Sequence, residues 1–469
     1  MVVEDGLPIE HRRFAVAVVA IGTVMAVLDS SIANVALPTI GRELRADPAS
    51  SIWVVNAYQV ILATLLLPFS ALGDAIGYRR VYTAGIVVFT LGSLACALSK
   101  TLLLLVLARA LQGVGGAAIM SIAPALNRTI FPSRMLGIAV GISAFTVASS
   151  SALGPTIGGA ILAVAPWPWL FAINVPLGAF DAVFASRALP GGTGSGRRVD
   201  VVSALLSGAA VALVVMALDG VARHLSPLLV AFMTALGAAS GVAFVRRQQH
   251  LAHPMLPLEL FRIRRFSLAA ATSLVSFVAQ GLAFVALPFL FQSVYGYTPF
   301  QSGLLFTPWP LAIAVAAPLA GRLADHYPAP VLSTFGLGIF ASGLVTLALL
   351  PPHPSTVDIV WRGVVCGIGF GFFQAPNNRE LLGSAPRHRS GSASGVLATV
   401  RVTGQSLGAA IVAIALGTAA TAAFSPGADA ALAAPAHGVL GVAAGLSALA
   451  CAVSALRLFH RNEDSSTVR

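Results

Sequence analysis

Fourteen apolar stretches separated by short polar ones make up almost the whole chain. They begin near Phe14, Ile52, Val81, Leu102, Gly137, Leu170, Val201, Leu225, Phe266, Leu304, Val331, Ile359, Ser392 and Val439. A run of about 20 apolar residues is the length a helix needs to cross the hydrocarbon layer. Within lipid, only a helix or a closed barrel satisfies its own backbone hydrogen bonds. The pattern therefore predicts an all-α integral membrane protein with fourteen transmembrane helices.

The stretches fall into two sets. VALP at Val35–Pro38 returns at Val285–Pro288, and Pro68 and Asp74 have counterparts in Pro318 and Asp325. Arg109 is matched by Arg362, Arg128 by Arg379 and Gly154 by Gly408, all at an offset of about 250 residues. That offset exceeds six spans and their loops. The excess is the stretch from Asp200 to Val245, whose two apolar segments have no counterpart. The expected organisation is a six-helix bundle over residues 14–190, a two-helix insertion over 200–246 and a second six-helix bundle over 264–459. The Gly-rich segment Gly191–Arg198 is expected to be a flexible linker. The connection from Arg246 to Arg265 carries five arginines and is expected at the lipid headgroups. A duplicated membrane protein of this kind is most often a secondary transporter with its site between the repeats.

Composition supports this reading: 57% of residues are hydrophobic and 10% charged, with a mean hydropathy of +0.87. A soluble domain carries about 25% charged residues. The net charge of +11 raises a nucleic-acid partner, but the positions of the 28 Lys and Arg argue otherwise. Twenty-one lie in loops and tails on the side of both termini. Five (Arg42, Arg45, Lys100, Arg223 and Arg362) lie on the other side, and Arg109 and Arg401 lie within spans. The positive-inside rule then puts both termini in the cytoplasm, with lipid rather than nucleic acid as the partner of the basic loops. The first apolar run, Phe14 to Leu37, is too long for a signal-peptide core, so no cleavable signal is expected.

Several chemistries are disfavoured. Cys96, Cys366 and Cys451 stand singly in apolar segments, and the nine histidines fall in loops, tails or span ends. Neither a metal site nor a disulfide is expected. Lys100 is the single lysine, and Ser99 occupies the place where a phosphate-binding loop requires glycine. Without a nucleotide motor, transport must run on an ion or solute gradient. No cofactor is expected beyond a proton as coupling ion, and no cluster of His or paired acids suggests an enzyme.

A charge at mid-bilayer costs about 2.5–3.5 kcal/mol, so each one calls for a reason. Of the acids, Asp29 and Asp181 lie well inside predicted spans. Asp29 in the first span and Arg109 in the fourth both sit roughly 10–12 Å from the outer face. Asn56 and Gln59 of the second span fall at that level, so these four predict a shared polar layer. The alternative is a structural ion pair that fixes helix packing. A carboxylate that alternates between apolar surroundings and a guanidinium loads and releases a proton. Asp29 is thus the candidate proton carrier and Arg109 its modulator. Gln280 stands within one residue of Asp29's counterpart, which leaves the second half neutral there. Asn34, Asn56, Gln59, Gln112, Gln280 and Arg401 are the candidate lining of a substrate cavity, and Arg401 could anchor an anion or pair with a carboxylate. Asp181 is expected in a helix-end ion pair with Arg187. Gly154, Gly158 and Gly159 around Pro155 predict close helix contact and a bend.

Together these strings resemble the major facilitator superfamily, and within it the fourteen-span drug:proton antiporters. LDSSIANVALP (Leu28–Pro38) is similar to that family's first-span motif, and SALGDAIGYRR (Ser70–Arg80) to its loop motif between spans two and three. LARALQGVGGAA (Leu107–Ala118) resembles the fourth-span motif with its buried arginine, and LGPTIGG (Leu153–Gly159) the fifth-span antiporter motif of exporters. WPWLFAINVPLG (Trp167–Gly178) resembles a further family string. The resemblance implies an inner gate of Asp74, Gly77, Arg79 and Arg80, with Asp325 at the repeated position, and an antiporter hinge at Gly154, Pro155, Gly158 and Gly159. The loop motif departs from the family at Ser70, Ala75 and Tyr78, so its latch is expected to be weaker or taken over by Arg80. The resemblance further implies a monomer in a bacterial inner membrane that exchanges protons for lipophilic, preferentially cationic, compounds. Export of an endogenous metabolite or lipid-like anion is the alternative, and a ligand-sensing membrane protein without transport is the second.

Overall fold

The computed structural model describes residues 6–459 apart from 133–134, 192–193, 195, 197–199, 224, 252–253, 257, 387–389 and 421–431. Most of the Gly191–Arg198 linker therefore lies outside the described residues. Among the described residues there are 14 helices long and apolar enough to cross a membrane. In chain order these are spans 1 (Ile9–Glu43), 2 (Pro48–Ile76), 3 (Tyr78–Ala97), 4 (Leu102–Ile130), 5 (Gly141–Val164), 6 (Trp169–Ala188), 7 (Val201–Ala222), 8 (Pro227–His250), 9 (Arg264–Val294), 10 (Pro299–Leu323), 11 (Ala329–Ala348), 12 (Thr356–Ser384), 13 (Ser392–Gly417) and 14 (Ala433–Leu458). Span 1 starts five residues before Phe14 and runs past Leu37 to Glu43, because polar residues at the membrane surface continue a helix that hydrophobicity alone would end.

Local chemistry sets the helix ends. The Asp47 carboxylate accepts from the Ser50 N–H at 2.8 Å and starts span 2. Thr298 with Gln301 and Ser355 with Asp358 form reciprocal capping boxes at spans 10 and 12. Spans 2 and 3 are joined by Gly77 alone, at φ +100°, a conformation that residues with a Cβ rarely adopt.

The duplication is visible in the packing. A Cβ on Gly115 of span 4 would lie 2.3 Å from the Phe89 nitrogen and 2.6 Å from the Gly85 carbonyl oxygen. A Cβ on Gly369 of span 12 would lie 2.3 Å from the Phe340 nitrogen and 2.8 Å from the Gly336 carbonyl oxygen. Spans 3 and 4 thus meet backbone to backbone just as spans 11 and 12 do. Such contact is how helices attract one another where lipid removes the hydrophobic drive.

The two halves touch most tightly at the end remote from the termini. The Gln292 amide of span 9 donates to the Val35 carbonyl of span 1 at 2.7 Å. A Cβ on Gly303 of span 10 would lie 2.3 Å from the Pro155 carbonyl oxygen, and one on Gly159 of span 5 would lie 2.7 Å from that of Pro299. Spans 7 and 8 pack on each other. Val215 of span 7 is buried with Val60 of span 2 and Ala410 of span 13, so the insertion covers the seam between the halves. At its opposite end, Arg247 of span 8 grips the Asp200 carboxylate with bonds of 2.8 and 3.0 Å. That grip lowers the Asp200 pKa to about 2, so the clamp persists through neutral pH and fails only in strong acid.

Candidate functional site

Asp29 and Arg109 form a buried ion pair between spans 1 and 4, with relative exposures of 2% and 0%. The network around them leaves one Arg109 nitrogen, Nη2, without a hydrogen-bond partner among the described residues. Gln112, one turn after Arg109, accepts from its guanidinium at 2.6 Å and donates to Asp29 Oδ1 at 2.8 Å. Asn174 of span 6 donates to the same Oδ1 at 3.0 Å, and the Gln112 amide also reaches Ser93 Oγ of span 3 at 2.8 Å. Arg109 Nε donates to the Val54 carbonyl of span 2 at 2.8 Å. The guanidinium lies 4.4 Å from the Tyr58 ring centre and 5.5 Å from that of Phe171, which cover it by cation–π contact. One acid and one base are thus tied to five helices.

Asp29 and Arg109 meet as the shared depth predicts, Gln112 joins them from the residues expected to line the cavity, and Asn56 and Gln59 do not join them. They share a helix with Val54 and face elsewhere: Asn56 faces Ser406 of span 13 at 3.5 Å, and the buried Gln59 Oε1 has no partner. The rotation of span 2 turns both amides away from the pair. Ser93 and Asn174 occupy the places assigned to those amides. The signal for Asn174 was its position in the INVPLG string, and Ser93 carried none. Asn34 is buried, with its Oδ1 unpartnered.

Gln280 and Arg401 belong to a separate group. Gln405 of span 13 donates to Gln280 of span 9 at 3.2 Å, and Arg401 lies one turn before Gln405. Gly404 and Gly408 press on span 9, while Ser406 faces span 2. The strip carrying Arg401 and Gln405 therefore looks into the space between spans 9 and 2 rather than toward lipid. Arg401 is partly exposed at mid-span, and among the described residues no ion pair neutralises it. The second half carries its own largely buried pair, near the ends of spans 12 and 14. There Arg457 donates to Glu380 at 2.9 Å and to Asn377 at 2.8 Å, and Asn377 donates to Ser273 of span 9 at 2.7 Å. The interior of that half is a cluster of edge-on rings, with Phe277 and Phe340 at 5.4 and 5.2 Å from Phe370.

The gate residues are placed differently from expectation. Tyr78 Oη donates to Asp74 Oδ1 at 2.5 Å, so a residue standing at a usual basic position holds the acid, and neither Arg79 nor Arg80 does. Arg80 reaches only the Ile76 carbonyl at 3.5 Å. Asp74 lies in the last turn of span 2 and Tyr78 opens span 3, so the turn at Gly77 brings the phenol to the carboxylate, while the Arg79 guanidinium lies beside Gly191. In the second half, Asp325 pairs with Arg379, the counterpart of Arg128.

Span 5 continues through Pro155 as one helix, Leu136–Val164. Its glycines fit the expected close contact: a Cβ on Gly154 would lie 2.4 Å from Ser31 Cβ, and one on Gly158 3.2 Å from Ile32. Thr156 and Thr307 share a hydroxyl contact of 2.5 Å across the halves. Gly303→Leu, which drives a side chain into the Pro155 backbone, is expected to separate this end. A cysteine at Thr307 should become more reactive to a water-soluble maleimide in that background, and unchanged labelling would show that the seal lies elsewhere.

The profile of the major facilitator superfamily matches residues 19–409. The chain belongs to that superfamily and is a membrane transporter. It is 52% identical over 414 residues to YebQ, an uncharacterized transporter of Escherichia coli (strain K12), covering 88% of this chain and 91% of that one. It is 29% identical over 408 residues to the riboflavin transporter RibZ of Clostridioides difficile (strain 630), covering 86% and 87%. Among solved structures, a bacterial homolog of the human lysosomal transporter Spinster, inward-facing and unoccupied, superposes with a TM-score of 0.69 at 16% identity, covering 96% of this chain and 97% of that one. A POT family transporter in complex with a thioalcohol-conjugated peptide gives 0.70 at 14% identity and 96% of each chain. These last two likenesses concern the fold.

Proposed function

We propose that the protein is a proton-coupled exporter of lipophilic solutes in a bacterial cytoplasmic membrane, with both termini inside. The observation that carries this reading is the enclosed Asp29–Arg109 pair, which five helices hold and which helix movement would break. Parted from Arg109, the Asp29 carboxylate faces apolar surroundings and takes up a proton; reunited, it gives the proton up. Proton exchange is thereby tied to conformation without any nucleotide. Asp74 and Asp325 sit at the termini-proximal end and serve as latches, while the contact of spans 5 and 10 seals the other end. Support for export comes from MdtD of E. coli O6:K15:H31, assigned by name to multidrug resistance and 31% identical over 413 residues.

Arg401 favours a neutral or anionic substrate. A cation would need an open carboxylate in the cavity, and Asp29 is covered by Arg109, Gln112 and Asn174. Arg401 is the charge left facing the space between the halves. Everted membrane vesicles test direction and coupling together. An acidified lumen should drive accumulation of an exported dye, accompanied by proton release, and collapse of the proton gradient should abolish both. Accumulation that survives that collapse would refute proton coupling.

A further inference from the structure

A second carboxylate lies deep in the first half. Asp181 of span 6 is 0% exposed, and the expected pairing with Arg187 is not made, because Arg187 lies six residues on and points outward. Its Oδ2 receives Tyr82 Oη of span 3 at 3.3 Å, and Tyr82 also reaches the Val18 carbonyl of span 1 at 3.1 Å. Among the described residues Oδ1 is buried without a partner. Asp181 is packed against spans 1 and 3. Their titratable and charged groups are Glu10, His11, Arg12, Arg13, Asp29, Arg42 and Glu43 on span 1, and Tyr78, Arg79, Arg80, Tyr82 and Cys96 on span 3. Of all these, Tyr82 is the one that bonds to Asp181. An ionised carboxylate presents acceptors on both oxygens and has here neither a cation nor enough donors. Such a group is far less costly when it carries a proton.

Its position relates it to Asp29. Asp181 follows Asn174 by seven residues, two turns on one face of span 6, or about 10 Å. Asn174 donates to Asp29, and Gly22, seven residues before Asp29 on span 1, would place a Cβ 3.0 Å from Asp181 Oδ2. Between the two levels, the Thr90 hydroxyl packs on the backbone of Gly178, where a Cβ would lie 1.9 Å from it. Polar side chains thus stand at successive levels from the Asp29 layer toward the termini-proximal end: Asn174, then Thr90, whose hydroxyl donates to the Ile86 carbonyl at 2.7 Å, then Tyr82 and Asp181. This file is a path rather than a continuous hydrogen-bond chain.

We propose that Asp181 with Tyr82 is a second membrane-embedded proton site, which holds a proton while Asp29 is ion-paired and exchanges protons with Asp29 along this file as the pair opens and re-forms. In the exporting direction Asp181 first gives its proton up at the cytoplasmic end. The proton that Asp29 takes up while parted from Arg109 then moves to the ionised Asp181 carboxylate as the pair re-forms, so one proton travels inward and both groups return to their starting states. The proposal rests on the proton-coupled reading.

Infrared spectroscopy of the full chain in lipid tests the site without transport. Wild type at neutral pH should show the C=O stretch of a protonated carboxyl. That band should vanish in Asp181→Asn, persist in Asp29→Asn and shift in Tyr82→Phe. A missing band, or one indifferent to Asp181→Asn, overturns the proposal. In proteoliposomes, Asp181→Asn should lose proton-gradient-driven transport while retaining wild-type substrate affinity. Full gradient-driven transport in that variant overturns the relay. A band that vanishes in Asp181→Asn, in a wild type whose transport ignores the proton gradient, would refute the coupling reading yet still support Asp181 as a protonated site.

Discussion

Asp29→Asn is expected to reduce gradient-driven transport to background in everted vesicles. The substitution removes the carboxylate that exchanges its proton as the pair with Arg109 opens and closes. It also leaves Arg109 buried beside a neutral amide, and removing one partner of a buried pair costs about 3–5 kcal/mol. Lower thermal stability in detergent should therefore accompany lost transport, and the two effects must be separated. Arg109→Gln in the same chain removes the orphaned charge. The double variant should regain much of the lost stability and still fail to couple. Asp29→Glu should keep part of the activity, because it preserves the charge and displaces it by one methylene. Wild-type proton-driven transport in the stable double variant would end the proton-carrier role of Asp29. It would leave the pair as the packing device that the sequence also allowed.

The fold was largely legible in the sequence because lipid permits few solutions. Apolar runs of spanning length must be helices, and the repeated strings gave the two halves. The Gly85–Gly115 and Gly336–Gly369 contacts carry that duplication into close packing. The pairing of Asp29 with Arg109 was legible for a related reason: two isolated opposite charges at one depth have little else to satisfy them. What depth could not give was rotation. Asn56 and Gln59 face away from the pair, while Asn174, marked in the sequence only by the INVPLG string, and Ser93, marked by nothing, take their places. Asp181 was misread for the same reason. Its sequence neighbour Arg187 suggested a partner, but six residues along a helix is nearly two turns, and the face that carries Asp181 turns inward to Tyr82. The exchange of a basic residue for Tyr78 looked like a weakened gate. Only the structure shows the phenol hydroxyl supplying the hydrogen bond to Asp74.

The charge of the substrate should be decided by Arg401. A guanidinium at mid-span, partly exposed and without an ion-pair partner among the described residues, offers paired donors to a carboxylate, sulfonate or phosphate. A hydrogen bond to a charged group is worth about 1.5–3 kcal/mol, so Arg401→Gln should weaken binding of a lipophilic dye anion by roughly ten- to a hundredfold. Arg401→Lys should retain part of that affinity, since the charge stays while the planar fork is lost. A lipophilic dye cation should bind weakly to wild type and no worse to Arg401→Gln, because removing a positive charge removes repulsion. Titrations at several pH values provide the decisive contrast. Anion affinity should vary little with pH, as Arg401 stays charged throughout. The opposite pattern would be tight cation binding that falls as the medium is acidified and loses that dependence in Asp29→Asn. It would mean that substrate and proton compete for one carboxylate, and the exporter would then be one of lipophilic cations.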